Sequence, residues 1–223
     1  MSIYYIDNQW ISLDKFEEVI ASKCQVELSV SAKEAIKKCR TYLDEKIANS
    51  DQLIYGINTG FGSLCNTAIS SVDLEELQRN LVLSHACGMG AEIPHEIIKR
   101  ILLLKAIGLA HGNSGVDLLT VERLLFFYNN DILPLVFELG SLGASGDLAP
   151  LAHISLGLIG EGEVYYNGLK MSAKDLHLQL GIAPLVLKSK EGLALLNGTQ
   201  FMSAYASYAV HHCSNMWFNF WCF

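Results

Sequence analysis

The stretch that most restricts how this chain folds is Gly140-Ser-Leu-Gly-Ala-Ser-Gly-Asp-Leu-Ala-Pro150. Three glycines within seven residues release the backbone from the Cβ restriction and permit a sharp reversal. Asp147 then stands where a helix N-cap belongs, and Pro150 falls in the first turn of the helix it opens. The same turn suggests a chemistry. With small residues at 144, 145 and 146, the amide nitrogen of Gly146 can approach the carbonyl carbon of Ala144. Attack there closes a five-membered ring, and loss of two waters, one taking the Ser145 hydroxyl, leaves an exocyclic methylene. That is an electrophile made from backbone alone, where proteins otherwise recruit a cofactor. Ala-Ser-Gly by itself reads better as a turn and a cap, so the rest of the chain has to decide.

The 223 residues are 51% hydrophobic and only 17% charged. That is enough for one sizeable core or two small ones, and it leaves apolar surface that partner copies are expected to cover. A net charge of −7 without any basic run argues against a nucleic-acid partner. The six cysteines show neither C-x-x-C pairing nor metal spacing, and the start carries no leader pattern. They read as reduced thiols in a cytoplasmic protein. The most apolar stretch, Ile97 to Ala110, is interrupted by Lys99, Arg100 and Lys105, so no membrane span is expected. His95-Glu96 is no zinc motif, because Lys99 stands where the second histidine must be.

Apolar periodicity predicts helices from Ser12, from a capping box at Ser31 and Glu34, from Asp73 with Leu74, Leu77, Leu81 and His85 on one side, and over Pro94 to Ala110. Further helices are expected over Asp117 to Tyr128, from Leu148, from Ser172, and from Gln200 with Met202, Tyr205, Ala206 and Val210. Leu53 to Ile57 reads as a short extended run entering a glycine loop. Glu163 to Met171 reads as a hairpin turning at Asn167-Gly168. The expectation is a mainly α single unit with small β pieces.

Four strings, in order, resemble the aromatic amino-acid ammonia-lyases, and the histidine ammonia-lyases most of all. They are Tyr55-Gly-Ile-Asn-Thr-Gly-Phe-Gly62, Ser84-His85-Ala-Cys-Gly88, the stretch from Gly140 through His153, and Asn197-Gly-Thr-Gln200, with Gly112-Asn-Ser-Gly115 as a further familiar piece. The resemblance runs from about Leu53 to about His212. It implies the N-terminal part of the fumarase/aspartase-like helical fold, with residues 1–213 as one catalytic unit and 214–223 as an aberrant aromatic tail of a truncated chain. It also implies a homotetramer.

By the same resemblance, Ala144, Ser145 and Gly146 self-cyclise to 4-methylideneimidazol-5-one, and no metal or external cofactor is needed. Tyr55 becomes the base that takes the β-proton. A tyrosine hydroxyl is ordinarily protonated at neutral pH, so a base of this type needs donors or positive charge around it. His85 faces the substrate ring, where an imidazole or a phenol can hydrogen-bond, and Asn197 lies at the substrate's polar end. Asp147 either supports cyclisation or only caps. The implied reaction is deamination of L-histidine to urocanate and ammonia. A tyrosine or phenylalanine lyase, an aminomutase, or a truncated fragment without activity are the alternatives. An arginine for the substrate carboxylate is expected from sequence that this chain lacks.

Overall fold

Two serines open the first two helices by turning a hydroxyl onto a free backbone N–H. The fold is that of a computed structural model, which describes residues 2–49, 53–60, 69–70, 73–143 and 146–221, with side chains through 214. Ser12 Oγ accepts from Lys15 N at 3.2 Å and starts α1 (Leu13–Ser22). Ser29 Oγ accepts from Ala32 N at 3.1 Å and starts α2 (Val30–Ala48). The capping box expected at Ser31 and Glu34 is therefore displaced by two residues. Ser29 has the extended backbone a cap requires, while Ser31 already lies in the first turn. Around α1, β1 (Ile3–Ile6) and β2 (Gln25–Leu28) pair in parallel, Ile3 opposite Gln25, an element the sequence pattern did not announce.

Leu53 to Ile57 is a turn rather than an extended run. Ile57 N donates to Ile54 O at 3.1 Å, and Asn58 Oδ1 accepts from Ile54 N at 2.7 Å. The asparagine side chain supplies the backbone with a local partner in place of a neighbouring strand. The helix α3 (Leu74–His85) follows. After it come β3 (Met89–Glu92), the central helix α4 (His95–Ala110) and α5 (Leu118–Asn129). α4 is buried nearly all round, with Ile97, Ile98, Ile101, Leu102, Leu103 and Ala106 in the core, packed between α5 and the last helix. Arg100 enters that core paired with Glu17 of α1, its Nη2 2.8 Å from the carboxylate.

The chain then forms β4 (Leu133–Pro134) and β5 (Phe137–Leu139), the latter antiparallel to β3. After the Gly-rich turn comes α6 (Leu148–Leu158), then the hairpin of β6 (Glu163–Tyr166) and β7 (Leu169–Ser172). Asn167 and Gly168 both take positive φ, as a two-residue hairpin turn requires. Ser172 caps α7 (Ala173–Leu180) by accepting from Asp175 N at 3.0 Å. α8 (Glu191–Leu196) and the long α9 (Gln200–Trp221) complete the fold. The mainly helical architecture with small β pieces is as the sequence led us to expect.

Candidate active site

Two helices end and two begin at one place. His85 is the last residue of α3 and Asn197 is the C-cap of α8, while α6 begins at Leu148 and α9 at Gln200. Three of the four sequence motifs thereby converge. A pocket of about 210 Å³ there is lined by His85, Cys87, Gly140, Leu142, Gly146, Leu148 and Ala149. Ala144 and Ser145 lie outside the described residues, as do Phe61 and Gly62 of the first motif.

Close backbone approaches hold the motifs together. Gly146 has φ +106°, and a Cβ on it would stand 2.7 Å from Gly198 O, so backbone meets backbone here. Asp147 N donates to the same Gly198 carbonyl at 2.8 Å. On the other side, a Cβ on Gly140 would stand 3.1 Å from the Cα of Gly88. His153 of α6 fixes that side, its Nε2 accepting from Gly88 N at 3.0 Å. Burial lowers the His153 pKa, which favours the neutral ring this acceptor role requires. His153 reads from sequence as merely structural, and the structure makes it the residue that holds the 84–88 turn.

Asp147 does not cap α6 with its side chain, contrary to one of the two sequence readings. Fully buried, its carboxylate accepts from Ser141 Oγ at 2.8 Å and from Met202 N at 3.0 Å. It therefore ties the turn before α6 to the first turn of α9, where the helix dipole favours a negative charge. The partner that decides its role lies far along the chain, out of reach of any local pattern.

His85 Nδ1 lies 2.8 Å from the Leu81 carbonyl. A carbonyl only accepts, so Nδ1 carries the proton and the neutral ring keeps Nε2 as its acceptor. Asn197 is exposed, its carbonyl taken by Lys105 Nζ at 2.7 Å. Lys105 is 2% exposed, and burial brings its pKa down to about 7. From the sequence alone Lys105 is only an interruption of an apolar stretch. The available signal is a lysine flanked on both sides by apolar residues, where burial demands a partner.

Tyr55 is not brought to this pocket. It is 58% exposed on the turn at 54–58, whose Ile57 carbonyl accepts from Ser189 Oγ at 2.5 Å. No lysine or arginine is among the described residues that line the pocket. Among the described residues no cluster of His, Cys, Asp and Glu is arranged to hold a metal ion, and no helix is long and apolar enough to cross a membrane.

Comparison with known proteins gives a consistent result. The sequence model of the family described as aromatic amino acid lyase matches residues 11–219. Histidine ammonia-lyase of Deinococcus radiodurans is 48% identical over 201 residues, covering 90% of this chain and 38% of that protein. Histidine ammonia-lyase of Shouchella clausii is 50% identical over 194 residues, covering 87% and 39%. The crystal structure of histidine ammonia-lyase from Trypanosoma cruzi superposes with a TM-score of 0.84 at 37% identity, over 94% of this chain and 41% of that one. The chain thus spans about two fifths of the length of these relatives.

Proposed function

The chain belongs to the aromatic amino acid lyase family, and on that premise we propose that it forms the electrophile-bearing part of a histidine ammonia-lyase-like site. The reaction is non-oxidative removal of ammonia from L-histidine to give urocanate. The observation that carries the reading is the convergence of Gly146 and His85 on one pocket, with Gly198 packed against Gly146. Residues 144–146 are the proposed source of 4-methylideneimidazol-5-one. Support comes from the crowding at Gly146, which only a residue without a side chain tolerates, and from the buried Asp147, which fixes the end of the turn. Such a ring supplies the electrophile that takes up the substrate amine and makes it a leaving group.

The remaining roles fall to the chain's own side chains. His85 receives a donor at Nε2, and an imidazole N–H provides one where the ring of phenylalanine has none. Asn197, held at the end of α8, serves the polar end of the amino acid. Tyr55 is the proposed base for the β-proton, a role carried by the family resemblance and requiring its hydroxyl to reach a substrate. The described lining of the pocket offers no cation for the substrate carboxylate, and the relatives' additional length is where we place one. A homotetramer belongs to the same proposal. Leu142, Met89 and Leu139, 90%, 71% and 59% exposed around the pocket, supply apolar surface for neighbouring copies to cover. The cysteines free in the fold fit the proposed cytoplasmic setting.

The test is the mass of the purified chain and of its peptide containing residues 144–146, together with urocanate formation from L-histidine. A deficit of two waters in that peptide is expected, with little turnover by the chain alone. An unmodified peptide removes the electrophile and with it the reading.

A further inference from the structure

Lys105 stands in the core of α4 among Ile101, Leu102, Ala106 and Leu109, all buried. The other deeply buried cation of this helix, Arg100, is neutralised by Glu17. Lys105 has no carboxylate within ion-pair distance among the described residues, and its Nζ donates to the Asn197 carbonyl at 2.7 Å. An uncompensated buried ammonium is costly, which is why burial lowers its pKa to about 7. Core packing alone is as well served by an apolar side chain of similar volume.

The peptide it holds gives the lysine a purpose. The Asn197 carbonyl and the Gly198 N–H are two ends of one planar unit, so fixing the first orients the second. That N–H has no hydrogen-bond partner among the described residues. It lies against Gly146, where a Cβ would stand 3.1 Å from Gly198 N and 2.7 Å from Gly198 O. Resting on the reading of residues 144–146 given above, we infer that Lys105 is a positioning residue that sets the Asn197–Gly198 peptide against Gly146 in the orientation in which the turn cyclises. A hydrogen bond accepted by an amide carbonyl also polarises the amide and strengthens its N–H as a donor. The lysine acts through Gly198 and touches no reacting atom.

The experiment compares the 223-residue chain with its Lys105→Met and Lys105→Gln variants. Methionine nearly keeps the volume and removes both charge and donor, while glutamine keeps a neutral donor. Three quantities are read: the melting temperature, hydrogen exchange at the Asp147 N–H that donates to the Gly198 carbonyl, and the fraction of the 144–146 peptide lighter by two waters. Loss of the lysine hydrogen bond predicts for Lys105→Met exchange about tenfold faster at the Asp147 N–H and a cyclised fraction lower by about the same factor. Its melting temperature should be at or above the parent's, and Lys105→Gln should recover part of both losses. A merely structural lysine would not separate melting temperature from cyclisation in this way. A folded Lys105→Met chain with unchanged exchange, or one that cyclises as fully as the parent, overturns the inference. So does failure of both variants to fold, which assigns the lysine to general stability. If the parent peptide is itself unmodified, the ring reading fails, and exchange at the Asp147 N–H alone upholds or overturns the positioning role.

Discussion

Asp147 accepts the backbone N–H of Met202 at 3.0 Å, so the residue that follows the Gly-rich turn caps a helix beginning far downstream. Its second oxygen binds Ser141 Oγ on the near side of the same turn. One buried carboxylate thus clamps the turn between two fixed points. Asp147→Ala leaves a hydroxyl and an N–H unpaired in a buried site and should destabilise the chain by about 2–4 kcal/mol, against roughly half that for Asp147→Asn. Urea unfolding of the three proteins measures the difference. Equal midpoints for parent and Asp147→Ala would show that the clamp bears no load.

The Gly146–Gly198 approach leaves no room for a methyl group. In Gly146→Ala the new Cβ would stand 2.7 Å from a backbone oxygen, at a φ that side chains avoid. We expect a stability loss of about 1–3 kcal/mol from strain and overpacking. The two-water deficit should also vanish from the 144–146 peptide, even in the fraction that stays folded. Mass spectrometry of the soluble variant is the measurement.

His153 makes stability depend on pH. Burial lowers its pKa below the usual 6.5, and burial followed by the charge of Arg123 does the same for His177. Between each folded pKa and 6.5 the unfolded chain binds more protons, so stability rises with pH across that window. The contribution is complete above 6.5 and is lost as pH falls through the folded values. His153→Gln, which keeps an acceptor for Gly88 N, should flatten the slope of unfolding free energy between pH 7 and pH 5 by at most about 1.4 kcal/mol per pH unit. An unchanged slope would place the titration elsewhere.

Substrate preference should rest on His85. The chain extended by the remaining sequence of the Deinococcus radiodurans relative should deaminate histidine far faster than phenylalanine. His85→Leu should lower kcat/KM for histidine about 10- to 100-fold, the worth of a lost hydrogen bond and an unpaired imidazole N–H. Its effect on phenylalanine should be small. Equal losses for both amino acids would detach His85 from the substrate ring.

Tyr55 provides a separate test, because its exposed turn is not part of the pocket wall. In the same extended protein, Tyr55→Phe should lower kcat by about 10²–10⁴, the usual worth of a general base. The two-water deficit should be unaffected. A variant with full kcat would release Tyr55 from the role of base.

Elements with their own local signals were readable from the sequence. The Asn167-Gly168 hairpin, the Ser172 cap and the apolar stripe ending in His85 appear where turn chemistry and period put them. What escaped notice depends on partners distant along the chain. Nothing near Ile3 announces a parallel neighbour at Gln25, and nothing near Asp147 announces Met202. Lys105 was visible only as a break in an apolar run, because its acceptor, the Asn197 carbonyl, belongs to the backbone and leaves no mark on residue type. Ser29 won over Ser31 as a cap through backbone conformation, which two nearby serines cannot reveal by identity.

The meeting of four helix ends also orders events during synthesis. Lys105 and Asn197 are 92 residues apart, and Gly88 and His153 are 65 apart. At ribosomal speeds the first interval alone lasts roughly 5–20 s. Throughout it Lys105 waits for its native acceptor, and from the moment residue 146 is added the Gly-rich turn has no Gly198 to lean on. Whatever the turn does chemically is therefore timed by the arrival of residues 197–202 and not by its own emergence, so a chain interrupted before them would carry the motif without the surroundings that give it shape.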